Sequence, residues 1–186
     1  MQDLSLHILD IAENGINAGA DLVRITVEED IKADSLTIAI EDNGQGMEPE
    51  FLIKALDPFV TTRANRKVGL GLPLLQQSAR LAEGDIKIDS TPGVGTKVLA
   101  FMKYGHIDRK PMGNMSETMV TLIQGNPEVD FVYVHRRNTK EYQFDTRELR
   151  SELEEIPLSR PEVVTLINNN LSEGLEELAA NVRSNR

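Results

Sequence analysis

Four groups of residues in this chain have the types and the spacing to do chemistry together. Asp10 and Asn14 stand four apart, so on a helix they share a face, with His7 and Asn17 one turn to either side. By itself such a polar stripe is more often a solvated surface than a site. Asp42 follows Leu36, Ile38 and Ile40 at a period of two, which puts its carboxylate at the end of an inward-facing strand side. A carboxylate there is costly unless something hydrogen-bonds it. The run Asp42-Asn43-Gly44-Gln45-Gly46 is either an ordinary turn or a place where backbone comes close to a flat ligand. In the second case Asp42 can accept a hydrogen bond from an exocyclic amine. That favours adenine over guanine, whose matching position is an acceptor.

The third group, Gly69-Leu70-Gly71-Leu72, opens a helix, where free N–H groups and the helix dipole can meet phosphate. Arg63, Arg66 and Lys67 lie just upstream as a local basic cluster in an acidic protein. Fourth, Gly95-Thr96 begins a strand on which a threonine hydroxyl can add a contact. Each group alone is more often structural than functional; their order along the chain carries the weight.

The elements that must position these groups follow from periodicity. Leu4, Ile8, Ile11 and Gly15 fall on one face of a helix over 4–17, with Asp3 as N-cap and Gly19 as its stop. Val23, Ile25 and Val27 alternate with polar residues, as do Leu36, Ile38 and Ile40, and the polar turn between them makes an antiparallel hairpin. Pro49 starts a short helix, residues 57–71 are irregular, and a helix from about Leu72 to Ala82 is closed by Gly84. A second hairpin spans 86–90 and 96–102. The chain turns polar at 106–114, with Pro111 and Gly113, and a boundary is expected there. This divides a 1–104 domain and a 105–114 linker from a 115–186 α+β appendage. The appendage reads as a helix near 115–124, strands at 129–136 and 140–144, and two further helices. Asp145 with Glu148, and Ser159 with Glu162, have capping-box spacing.

Composition bounds the partners. The 186 residues are 40% hydrophobic and 27% charged, which is globular, and no apolar run reaches the ~20 residues of a membrane helix. A net charge of −10, with no tryptophan, argues against DNA or RNA. The absence of cysteine and of a basic start to the chain fits a cytoplasmic location.

In sequence order the groups resemble the boxes of the GHKL superfamily of ATP-binding domains, found in gyrase B subunits, the large heat-shock chaperone, histidine kinases and MutL proteins. Asp10-Ile-Ala-Glu-Asn14-Gly-Ile-Asn-Ala-Gly-Ala20 is similar to the N box, most closely of the MutL type. Asp42-Asn-Gly-Gln-Gly46 resembles the first glycine box. Asp57-Pro-Phe-Val-Thr-Thr-Arg63, Gly69-Leu-Gly-Leu72 and Thr91-Pro-Gly-Val-Gly-Thr96 look like the lid, second glycine box and final hairpin of histidine kinases. The likeness covers roughly residues 4–103.

It implies a Bergerat fold, an α/β (α+β) sandwich of a mixed, mostly antiparallel sheet with helices on one face. It implies ATP and Mg2+ as ligands, with Asn14 on the metal and Asp42 on the adenine amine. Gly46 would give room, Thr96 would support Asp42 or an ordered water, and Gly69 and Gly71 would meet phosphate. Gly44, Thr62 and Leu72 lie in the same boxes and join the expected nucleotide contacts, with Arg63 and Lys67 as lid cations.

Two departures shape the expected function. ATP-hydrolysing members carry a glutamate four before the metal asparagine as general base; Asp10 stands there, a competent base but one methylene shorter. No phosphoacceptor-bearing helical domain is expected before the N box, and neither His106 nor His135 has a phosphoacceptor's setting, so a complete histidine kinase is not expected. The leading expectation is a module that uses ATP to act, kinase-like or as a switch, on a protein partner. The alternatives are an ATPase or nucleotide-gated clamp with Asp10 as base, in which lid closure drives homodimerisation, and a non-catalytic interaction module.

Overall fold

The computed structural model describes residues 3–56, 71–154 and 156–180. Helix α1 (Leu4–Asn17) is capped by Asp3, which accepts from Leu6 N at 3.1 Å and from Ser5 Oγ at 2.9 Å. Its buried face carries Leu4, Ile8, Ile11, Ala12 and Gly15, as the periodicity requires. Strands β1 (Leu22–Asp30) and β2 (Ser35–Asp42) pair antiparallel, with Ile25 opposite Ile40. After the short α2 (Pro49–Lys54) come α3 (Gly71–Leu81), β3 (Asp85–Thr91) and β4 (Gly95–Lys103). Gly84 is not the left-handed stop of α3: Glu83 takes that conformation (φ 56°). Gly84 is required instead because a β-carbon there would overlap Phe101 O on β4.

Residues beyond 114 add to this architecture rather than standing apart from it. Helix α4 (Met115–Gly125), β5 (Asp130–Arg137) and β6 (Lys140–Asp145) are followed by α5 (Thr146–Leu153) and α6 (Pro161–Ala180). Strand β5 pairs in parallel with β1, so the six strands form one sheet in the order β3-β4-β2-β1-β5-β6. One apolar cluster runs through it, from Ile86 and Val98 to Phe131, Tyr133 and Phe144. The boundary read at 105–114 marks a change in composition, and core and sheet continue across it. Helices α3, α1, α4 and α6 touch in that order, forming the layer over the sheet's apolar side. Asp145 caps α5 as expected, accepting from Arg147 N at 2.9 Å. The box expected at Ser159 does not form: α6 opens at Pro161, with Val164 N bonding to Arg160 O.

The α4–β5–β6 unit repeats the α1–β1–β2 arrangement beside it. Asn114 caps α4 by accepting from Glu117 N and Ser116 Oγ, matching Asp3 with Leu6 N and Ser5 Oγ. At the far end of the two parallel strands a buried polar group joins the units. Glu29 Oε1 accepts from His135 Nε2 at 3.1 Å, and Arg137 Nε lies 3.3 Å from Glu29 Oε2. His135 Nδ1 meets Tyr133 Oη at 2.8 Å. Burial works to raise the Glu29 carboxyl, but the bond from His135 and the charges of His135, Arg137 and Arg109 outweigh it and hold it below its ordinary value of 4.5. A depressed carboxyl stabilises the fold above its unfolded-state pKa, and that stability is lost as pH falls through the folded-state value. Glu29→Gln should therefore lower unfolding stability at pH 7 by about 3–5 kcal/mol, through an uncompensated buried cation. The acid limb of the stability profile should flatten in the same variant, read by denaturant titrations between pH 3 and 7.

Candidate functional site

At the opposite end of the sheet the inward-facing rows finish in polar residues. Asp42 follows Leu36, Ile38 and Ile40 on the same face and stands opposite Thr96 of β4 and Val23 of β1. Its Oδ1 accepts from Gly44 N at 2.9 Å, and Thr96 N–H also bonds to the carboxylate. Burial raises the Asp42 carboxyl in spite of these two bonds. A carboxylate offers about four lone-pair sites, so capacity is left to accept from a ligand amine.

Helix α1 reaches this aspartate through a glycine. A β-carbon placed on Gly15 would stand 2.6 Å from Asp42 Cβ and 2.8 Å from Asp42 Oδ2. The same helix meets the start of α3 through another: a β-carbon on Gly71 would overlap Asp10 Oδ2 and lie 3.7 Å from Asn14 Nδ2. Asp10, Asn14, Asp42 and Gly71 are thereby gathered where α1, the end of β2 and the start of α3 converge.

The glycine boxes gain a second explanation from the structure. Gly46 (φ 67°) faces the backbone of the β3–β4 hairpin, where a β-carbon would overlap Thr91 O. That close approach is reason enough for glycine at 46, whatever room it also gives a ligand. Gly95 (φ 134°) has the same relation to Asp42 O, and a β-carbon on Gly44 would stand 3.0 Å from both Ala18 O and Asp42 Oδ1. These glycines let three backbones close around Asp42. Thr96 presents its amide to Asp42, while its hydroxyl pairs with Ser90 Oγ at 2.9 Å. Ser90 also accepts from Met47 N at 2.8 Å, tying the glycine loop to the hairpin. Leu72 is partly buried against the core. Thr62, Arg63, Lys67 and Gly69, and with them the expected lid, lie outside the described residues.

Sequence reasoning missed Gly15 and Ser90 as site-forming residues. A signal for Gly15 existed: glycine in a helix interior costs about 1 kcal/mol against alanine, so one on the buried face needs a packing reason. His7, which helical spacing sets beside the polar stripe, is a packing residue. It is fully buried between α1 and α3, and Ser78 Oγ, which donates to Leu74 O, accepts from its Nε2 at 3.1 Å. Burial, helped by the charge of Lys110, pushes its pKa down to about 4, so it is a neutral packing residue near pH 7.

A one-sided mixed sheet under a helical layer, with these polar groups at the strand ends, defines an α+β protein of the Bergerat ATPase fold. The model of the family described as histidine kinase-, DNA gyrase B- and HSP90-like ATPase matches residues 2–106, more than half of the chain, and the chain belongs to that family. It is 38% identical over 89 residues to the signal transduction histidine-protein kinase AtoS of Escherichia coli, a stretch covering 47% of this chain and 14% of that protein. It is also 38% identical over 89 residues to the sensor protein kinase FleS of Pseudomonas aeruginosa, covering 48% and 22% respectively. The chain thus spans under a quarter of the length of these relatives. Among solved structures it resembles the Aquifex aeolicus MutL ATPase domain complexed with ADP, with a TM-score of 0.50 and 17% identity, over 83% of this chain and 68% of that one. A share of 83% is too large to be confined to residues 2–106, so the likeness in fold extends beyond the family match.

Among the described residues no helix is long and apolar enough to cross a membrane. Two measurements bear on the geometry. Gly15→Ala adds helix propensity worth about 1 kcal/mol but forces a methyl into Asp42. A net loss of about 1–2 kcal/mol in chemical unfolding is expected, and a gain would contradict the packing described. Asp42 has the opposite sign from Glu29. A carboxyl raised in the fold makes the native state the stronger proton binder, so stability declines as pH climbs through its titration. Asp42→Asn should accordingly raise the thermal midpoint of the ligand-free protein at pH 7.

Proposed function

We propose that this protein binds Mg-ATP at the α1–β2–α3 convergence and uses it, kinase-like or as a switch, to act on a protein partner. The observation that carries the reading is the Gly15–Asp42 approach, which brings the Asp42 carboxylate against the turn of α1 that bears Asn14. Family membership supports the nucleotide, and similarity to two kinases supports the partner-directed role. The donor set suits magnesium better than a protein-caged metal. Among the described residues no cluster of three or more His, Cys, Asp or Glu forms a metal site. A single side-chain oxygen is enough for magnesium, which is commonly held by one or two protein ligands with substrate phosphates and waters. Asn14 would supply that oxygen, and the bound ion would neutralise phosphate charge. Asp42 would accept from the adenine amine, and its two backbone donors would hold the carboxylate in place for that contact. Gly71, at the first turn of α3, would leave space for Asp10 and Asn14 beside the phosphates.

Calorimetry with ATP, ADP and GTP, with and without magnesium, tests this reading. ATP should bind and GTP should not. Asp42→Asn, which sets amine against amine, should weaken ATP by about 1–3 kcal/mol, roughly fivefold to 150-fold. Asn14→Ala should leave an affinity that no longer responds to a chelator. Unchanged ATP affinity in Asp42→Asn would remove the assignment.

A second reading has its own observation: Asp10 shares this location, four residues before Asn14, against Gly71. There it would act as general base for water in an ATPase or nucleotide-gated clamp. Steady-state phosphate release that disappears in Asp10→Asn, with ATP binding retained, is the expected result under that reading. Release equal in both proteins would exclude it.

A further inference from the structure

A cleft of about 350 Å³ lies between α1 and α4, lined by Glu13, Ile16 and Asn17 on one side and Thr121, Leu122, Gly125 and Asn126 on the other. Its polar groups are biased toward accepting. Asn17 turns its amide nitrogen back to Glu13 O at 2.5 Å, and Asn126 turns its own to Leu122 O at 3.0 Å. Thr121 spends its hydroxyl proton on Glu117 O at 2.8 Å. The groups remaining for a visitor are then mainly the two amide oxygens, the threonine lone pairs and the Glu13 carboxylate. Glu13 has no ion-pair partner among the described residues. The last turns of both α1 and α4 line the cleft, and each brings the negative end of a helix dipole. Ile16, only partly buried, supplies apolar wall beside these acceptors.

We infer that this cleft docks an arginine side chain of a protein partner. The guanidinium presents five donors and no acceptor, the complement of such a lining, and its alkyl stem can lie along Ile16. The net charge of −10 adds a long-range attraction for a basic segment. Glu13 adjoins Asn14 in sequence, so the cleft lies one helical step round α1 from the proposed metal ligand. This names partner chemistry for the reading above and rests on that reading for its purpose, whereas the binding itself requires no nucleotide.

The test is a heteronuclear NMR titration of the full chain, without ATP, using Nα-acetyl-arginine amide and its neutral citrulline counterpart as probes. The arginine probe should move the backbone resonances of Asn17, Thr121, Gly125 and Asn126 in a saturable, millimolar response, and citrulline should bind at least about tenfold more weakly. Glu13→Gln should weaken the arginine response about tenfold. Thr121→Lys, at an exposed helical position, should abolish it by placing an ammonium in the cleft while leaving the spectrum folded. Equal responses to the two probes, shifts centred elsewhere, or a Glu13→Gln variant that binds like the parent would overturn the inference. Because nucleotide is absent, that failure is distinct from a failure of ATP to bind in calorimetry.

Discussion

The constraint on which the site depends is the close passage of α1 over the end of β2, made possible by a missing side chain at Gly15. Helix and strand elsewhere in the core are separated by the isoleucines and leucines between them. At Gly15 the helix comes down onto Asp42 directly. Asn14 comes with it, because it is the next residue on the same rigid helix. Gly71 repeats the device on the other side of α1, admitting Asp10 where a side chain would stand. Glycines at 44, 46 and 95 do the same work between loop, hairpin and strand. Close packing through glycine costs chain entropy in the unfolded state, and here the return is a set of polar groups held by backbone contacts on several sides.

Much of this was legible from the amino-acid order alone. The period-two row ending in Asp42, the i,i+4 pair of Asp10 and Asn14, and the first helix with its Asp3 cap all depend on local periodicity, which sequence carries directly. The backbone packing at Gly46 was not legible, because a glycine's sequence context says that something comes close, without saying whether it is ligand or backbone. His7 was grouped with polar neighbours because helical spacing places it near them. Only the packing of α3 against α1, a tertiary fact, shows that it is buried against Ser78. The same limit applies to the boundary near residue 105. A polar stretch with proline and glycine resembles a linker, and nothing local reveals that the following strand will pair with β1, about a hundred residues earlier in the chain.

The recurrence of a capped helix, a strand and a hairpin partner puts two similar units side by side, but only one carries the site. Counting from the caps, Asn14 and Asp10 in the first unit correspond to Gly125 and Thr121 in the second. The second unit has neither the amide nor the carboxylate at these positions. What it provides is the far half of a continuous core, a wall for the cleft beside α1, and the histidine and arginine that meet Glu29. The sheet's inward face is therefore apolar along its middle and polar at both ends, with Asp42 at one and Glu29 at the other.

The parallel pairing of β5 with β1 bears on where the chain can be cut. An excised fragment ending at residue 106, where the family match stops, would turn an interior strand into an outer one. The row Val23, Ile25 and Val27 would then lie along an unprotected border rich in open backbone donors and acceptors, the kind of template that recruits other chains. Measurements of the proposed nucleotide site belong on the longer protein, since a minimal fragment would report on its own self-association.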